Sequence, residues 1–226
     1  FNAFLKTLEE PPEHAVFMLA TTEIHKVPET IISRCQTFTF KKPTQVILRK
    51  SAQDIAEKEG YALETGAGDL IAILGDGSFR DMQGVLHLVL SSAKEKTITR
   101  EFVEKITSAP PAHLVNALVL ALAEKKLVSA LQAVSGAVDT NVDFGIFMKL
   151  LIEKMRLVLL TRFDPDTKKR IKEELSGDDV TLFESLSGAK GVAINSQTLS
   201  VLLSAYADTH RAYIKQLPLE LALIEL

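Results

Sequence analysis

Apolar residues at Phe1, Phe4, Leu5 and Leu8 recur at i, i+3, i+4 and i+7, the spacing of one helical face, and Pro11-Pro12 ends that helix. The next apolar run, Ala15-Val16-Phe17-Met18-Leu19-Ala20, has no polar alternation, which predicts a strand buried on both faces of a parallel sheet. A loop and a short helix opened by Pro28 at its first position follow. From Gln36 to Lys41, Thr37 and Thr39 alternate with Phe38 and Phe40, the pattern of a second strand. Helix, strand, helix, strand is the end of an α/β domain. Two strands do not make a sheet that stands alone, so this stretch is expected to belong to something larger.

After Lys42-Pro43 every element reads as helical. Leu48, Ala52, Ile55 and Ala56 form one stripe, with Gly60 as its C-terminal cap. A shorter helix carries Leu70, Ile71 and Leu74 and ends at Gly75. Ser78 is placed to cap the next helix, with Asp81 three residues on in a variant of the capping box, and its stripe is Met82, Val85, Leu86, Val89 and Leu90. Thr99 caps a fourth, with Phe102, Val103 and Ile106 inward. Ala109-Pro110-Pro111 breaks the chain. Beyond His113 lie about six helical segments, separated near Glu124, Asp139-Thr140, Asp164-Pro165, Gly177 and Gly188 to Gly191. The longest, Val142 to Phe163, places Phe144, Phe147, Leu151, Met155, Val158 and Leu159 on adjoining faces, as a core helix does.

Composition changes this picture only by exclusion. The 226 residues are 46% hydrophobic and 24% charged with net charge -3, ordinary values for a globular protein of one to three domains. The apolar runs Leu114 to Ala123 and Leu157 to Leu160 are too short to span a membrane. The chain opens on Phe1 with no initiator methionine and no basic leader, and is expected to be part of a longer polypeptide. A single cysteine, Cys35, excludes a disulfide framework, and the five histidines lack ligand spacing, so no metal site is expected. The acidic balance argues against a nucleic-acid clamp. The local basic runs Lys41-Lys42 with Arg49-Lys50, and Lys168-Lys169-Arg170, read as solvated surface.

Two arginines carry the candidate chemistry. Arg34, in Thr30-Ile31-Ile32-Ser33-Arg34-Cys35, lies on a short element beyond the C-terminal end of the first strand, where α/β proteins keep their ligand chemistry. It either answers a helix dipole or serves as an arginine finger on a transferring phosphoryl group. Thr21 and Thr22, at the strand end, are edge hydrogen-bonders or hydroxyls that hold a water or read a γ-phosphate. Arg80, in Gly77-Ser78-Phe79-Arg80-Asp81, meets the positive end of a helix dipole. It makes a surface pair with Asp81 or a structural pairing with a neighbouring helix, or else it awaits a bound anion.

Taken in order, Leu8-Glu9-Glu10-Pro11-Pro12, Ala20-Thr21-Thr22, Ser33-Arg34-Cys35 and Gly77-Ser78-Phe79-Arg80-Asp81 resemble the gamma/tau subunits of bacterial DNA polymerase III clamp loaders, a family of AAA+ ATPases. The Ser-Arg-Cys signature is shared with delta-prime and with eukaryotic small subunits, whereas Gly-Ser-x-Arg-Asp favours gamma/tau. Leu217-Pro218-Leu219-Glu220-Leu221-Ala222-Leu223 also looks like that family's last collar helix. The resemblance implies a mainly α chain: the remnant of an α/β AAA+ ATPase domain over 1–42, a helical lid over 43–108 and an all-helical oligomerising collar over 109–226. It implies Thr22, or else Thr21, as sensor 1, Arg34 as a finger reaching ATP on the adjacent subunit, and Arg80 as sensor 2 for ATP on its own subunit. It further implies a cytoplasmic replication protein that uses ATP to load the sliding clamp onto primed DNA. Its partners would be gamma/tau, delta and delta-prime subunits met through the collar, and no membrane.

The departures limit that expectation. No G-x-x-x-x-G-K-[ST] occurs, no acidic Walker B strand end follows, and the family's zinc-binding cysteines are missing. ATP and Mg²⁺ are therefore expected in the complete protein, with neither tight binding nor hydrolysis by this polypeptide alone. Two alternatives remain beside gamma/tau: a delta-prime subunit, and a helical scaffold that binds protein partners without nucleotide chemistry.

Overall fold

A computed structural model describes residues 5–140, 142–164, 182–183, 185–186 and 194–226. The chain is mainly helical, and it divides into two compact units, 1–42 and 43–226. Phe1 and Phe4, the basic run Lys168-Lys169-Arg170, and the helix breaks at Gly177 and Gly188 to Gly191 lie outside the described residues.

In the first unit α1 (Leu5–Glu9) packs against α2 (Glu29–Ile32), with a single 3₁₀ turn at Ile24–Lys26 between them. Pro28 stands at the N-cap of α2, one position earlier than expected, and its carbonyl accepts from the Ile31 and Ile32 amides. Neither expected strand forms: 15–20 and 36–41 are irregular, and their apolar side chains face solvent, with Met18 90% and Phe40 93% exposed. A strand persists only where a neighbour takes up its amides and carbonyls. The sequence pattern encodes a buried sheet, but this unit holds no partner strand among its described residues.

The second unit begins with α3 (Gln45–Lys58), capped by the Thr44 hydroxyl accepting from the Ile47 amide. Its end is a Schellman turn: the Tyr61 amide donates to Ala56 and the Gly60 amide to Glu57, with Gly60 at φ +79°. Then come α4 (Thr65–Leu74), α5 (Phe79–Ser92) and α6 (Arg100–Thr107). Two-residue strands β1 (Ala62–Leu63) and β2 (Thr97–Ile98), which hydrophobic patterning does not reveal, pair in parallel and staple the start of α4 to the start of α6. Small residues Gly66, Ala67 and Gly68 bring α4 close to α3, where Arg49 lies over Gly68 and pairs with Asp69 at 2.8 Å.

Further helices are α7 (Ala112–Ala123), α8 (Leu127–Asp139), α9 (Phe144–Phe163), α10 (Ser196–Thr209) and α11 (Leu217–Glu225). The extensive helix pairings fall within α3–α6 and within α7–α11. The α9 helix starts at the Asp143 cap and buries Phe144, Phe147, Leu151, Met155 and Val158 of its expected stripe, while Leu159 is only half-buried. Phe144 and Phe147 stack with ring centroids 5.3 Å apart. Burying each such side chain stabilises the fold by about 1.5–3 kcal/mol. No single helix among the described residues is long and apolar enough to cross a membrane.

Candidate functional site

Arg34 follows the shortest helix of the first unit. Pro28 fixes the entry to α2, and the only buried residue of that helix, Ile31, anchors it. The Ser33, Arg34 and Cys35 amides then donate to Glu29, Ile31 and Ile32, closing the turn that lifts Arg34 to the surface. Its side chain remains 37% exposed. Arg34 Nη1 donates to the Thr30 carbonyl at 2.9 Å and lies 3.4 Å from Ser33 Oγ. Nε and Nη2 both donate to Glu9 Oε1 of α1, at 3.0 and 2.6 Å.

That Glu9 contact joins two motifs 25 residues apart, Leu-Glu-Glu-Pro-Pro and Ser-Arg-Cys. Sequence reasoning quotes both but assigns Glu9 no role. A pairing at that separation leaves no periodic trace, so the only available signal was an acidic residue on a helix adjoining the arginine.

Thr21 and Thr22 differ in use. The Thr21 hydroxyl accepts from the Glu23 amide at 2.9 Å, a local turn that orders the approach to the 3₁₀ segment. Thr22 is exposed, and its hydroxyl makes no hydrogen bond among the described residues. Neither threonine is hydrogen-bonded to Arg34.

Arg80 lies in the second unit, in the first turn of α5. Ser78 Oγ accepts from the Asp81 amide at 3.2 Å and so fixes the start of that helix. The turn before it needs two left-handed residues, Asp76 at φ 49° and Gly77 at φ 75°. Arg80 is exposed and makes no hydrogen bond or ion pair among the described residues, so the expected pairing with Asp81 or with a neighbouring helix is not formed there. Arg80 thus adds a positive charge to the N-terminal turn of α5, an end of the helix that favours an anion.

Among the described residues, no three His, Cys, Asp or Glu side chains gather as metal ligands would. Cys35 is a half-buried free thiol.

Comparison with known proteins adds three kinds of likeness. Residues 1–44 match the family described as DNA polymerase III, delta subunit. The chain is 36% identical over 165 residues to DNA polymerase III subunit tau of Bacillus subtilis, which covers 73% of this chain and 29% of that protein. It is 28% identical over 220 residues to DNA polymerase III subunit gamma/tau of Mycobacterium tuberculosis, 97% of this chain and 38% of that one. With the Escherichia coli tau subunit it shares 41% identity over 100 residues, 44% of this chain and 16% of that protein. The chain thus spans less than half the length of each of these relatives. Among solved structures, a Bacillus subtilis DNA clamp loader delta protein aligns over 99% of this chain and 70% of that one. That alignment has 17% identity and a TM-score of 0.41, too loose to bear on the fold.

Proposed function

This chain belongs to the gamma/tau type of DNA polymerase III clamp loader subunit, and we propose that it supplies that subunit's ATP-responsive parts: a finger for a neighbour's nucleotide, a sensor for its own, and a collar. In phosphoryl transfer the protein does little covalent chemistry. It places positive charge where negative charge develops, and an arginine supplied in trans accelerates hydrolysis by about 10³–10⁵. In this reading Arg34 is that arginine, and Thr22 orients the attacking water or the γ-phosphate from the end of the 15–20 segment. Arg80 approaches ATP on its own subunit as the α3–α6 bundle closes over it. ATP and Mg²⁺ are held by other parts of the complete protein.

The observation that carries this reading is the reach of the similarity. A gamma/tau sequence aligns over 97% of the chain, so the arginine motifs and the helical tail fall within one aligned span. The exposed, unpaired Arg80 supports it, since no intramolecular partner among the described residues accounts for a cation in that turn. Through α7–α11 the chain joins other clamp loader subunits (gamma/tau, delta and delta-prime), and the assembled loader opens the sliding clamp and places it on primed DNA.

A delta-prime reading draws on the delta-subunit family match, but that match ends at residue 44, before the Gly-Ser-Phe-Arg-Asp motif. The deciding experiment replaces Arg34 with Ala in a full-length gamma/tau subunit carrying these residues and measures ATP binding and steady-state hydrolysis by the assembled loader. Hydrolysis falling at least a hundredfold with binding retained is expected. Unchanged hydrolysis would overturn the reading in favour of a scaffold without nucleotide chemistry.

A further inference from the structure

Resting on the finger reading of Arg34, we propose that Glu9 is a positioning residue that holds the Arg34 guanidinium, charge neutralised, until a neighbour's phosphate competes for it. A guanidinium has five N–H bonds, and its Nε/Nη2 edge is one of two whose geometry fits a carboxylate or a phosphate. In Arg34 that edge is taken: both nitrogens donate to Glu9 Oε1, at 3.0 and 2.6 Å. The opposite side is tied down as well, with Nη1 donating to the Thr30 carbonyl at 2.9 Å and Ser33 Oγ at 3.4 Å. Only one Nη2 hydrogen is left without a partner. A two-point contact with phosphate oxygens that keeps the Nη1 contacts in place therefore requires Glu9 to let go.

The exchange is feasible because the pair is at the surface. Glu9 is 49% and Arg34 37% exposed, and ion pairs of that kind are weak. A multiply charged phosphate attracts the same edge more strongly than one singly charged carboxylate does, because the Coulomb energy scales with charge. The Thr30 and Ser33 contacts come from the finger's own turn and do not need to break, so the head stays aimed while its outer edge changes partner. Glu9 thus gives the unengaged finger a defined resting place and lowers its charge until the triphosphate arrives.

The test uses Glu9→Gln, which keeps the shape and removes the charge, in a full-length subunit within its assembled loader. ATP hydrolysis is measured without and with sliding clamp and primed DNA. The basal rate is expected to rise about two- to five-fold, the range set by the weakness of an exposed pair, while the stimulated rate is unchanged. Glu10→Gln, at the adjacent exposed carboxylate, is expected to change neither rate. A fall in both rates, an unchanged ratio of stimulated to basal rate, an equal rise with Glu10→Gln, or a rise that persists in an Arg34→Ala background would each overturn the proposal. The two levels separate cleanly. If Arg34→Ala leaves hydrolysis intact, the finger reading fails and this inference with it. If Arg34→Ala abolishes hydrolysis and Glu9→Gln changes nothing, only the role of Glu9 fails.

Discussion

Glu104 Oε1 accepts from the Ala112 backbone amide at 3.2 Å across the Ala109-Pro110-Pro111 break, while the same oxygen takes Arg100 Nε at 2.9 Å. The helices on either side, α6 and α7, meet at 91°. The break that punctuates the sequence is therefore a braced corner. Ser108 turns the chain with φ 54°, its carbonyl accepts from the Asp143 amide at 2.8 Å, and Glu104 serves as a remote cap for α7. Pro111 at the N-cap position brings no side-chain acceptor of its own, so the first amides of α7 depend on this carboxylate.

Glu104→Ala removes that acceptor in a position only 9% exposed. We expect a loss of about 1–3 kcal/mol, the cost of a buried donor left without its partner. Urea unfolding of the chain followed by circular dichroism checks it. Glu101→Ala, one turn away on the exposed face, is expected to cost under about 0.5 kcal/mol.

The turn between α4 and α5 makes an opposite pair of glycine predictions. A Cβ on Gly75 would lie 2.6 Å from Met82 Cβ and 3.0 Å from its Cα, so Gly75→Ala must push α5 away from α4. Overpacking of that kind costs about 1–3 kcal/mol. Gly84, within α5, has nothing within 4 Å of a built Cβ, and Gly84→Ala is expected to stabilise by about 0.5–1 kcal/mol through helix propensity. Thermal unfolding of the two variants side by side decides both.

How much was legible before the structure depends on the range of the interaction. Caps were readable because they are local: Ser78 and Thr99, both expected as caps, each accept from the amide three residues on. The α9 stripe was readable because a 3.6-residue period survives in any core helix. The runs at 15–20 and 36–41 show the limit of the same logic. Their pattern reports a burial that needs partner strands, and within this unit Phe38 and Phe40 remain 69% and 93% exposed. Contacts between distant residues left no periodic mark: Glu9 with Arg34, the β1–β2 staple and the Glu104 brace join positions that no local pattern pairs. Arg34 and Arg80 were found from motif context, and their exposure fits the roles proposed for them without depending on any one partner.

Thr21 and Thr22 should separate by what each loses. Thr21→Val removes the acceptor for the Glu23 amide, and a cost of up to about 1 kcal/mol is expected, with little effect on nucleotide turnover. Thr22→Val touches no hydrogen bond among the described residues and should leave thermal stability unchanged. In a full-length subunit it is expected to lower ATP hydrolysis by the loader about tenfold or more, as loss of a transition-state hydrogen bond does. Equal effects of the two variants on hydrolysis would remove the distinction drawn between them.

Arg80 offers the sharpest separation of structural from functional use. It is exposed, has no partner among the described residues, and stands in the first turn of α5, where the helix dipole repels a cation. Replacing it with Gln therefore removes an unfavourable interaction worth about 0.3–1 kcal/mol, and the unfolding temperature should hold or rise by no more than about 4 °C. The same replacement takes away the charge proposed to meet the phosphates. In a full-length gamma/tau subunit, affinity for a fluorescent ATP analogue should fall about tenfold, because a charge-assisted hydrogen bond to phosphate contributes about 1.5–3 kcal/mol. Differential scanning fluorimetry without nucleotide and a binding titration on the same preparation read the two effects independently. A variant that loses stability yet binds nucleotide normally would make Arg80 a structural residue. One that is equally stable and binds weakly would put its charge at the phosphates, for which the fold leaves it unpaired.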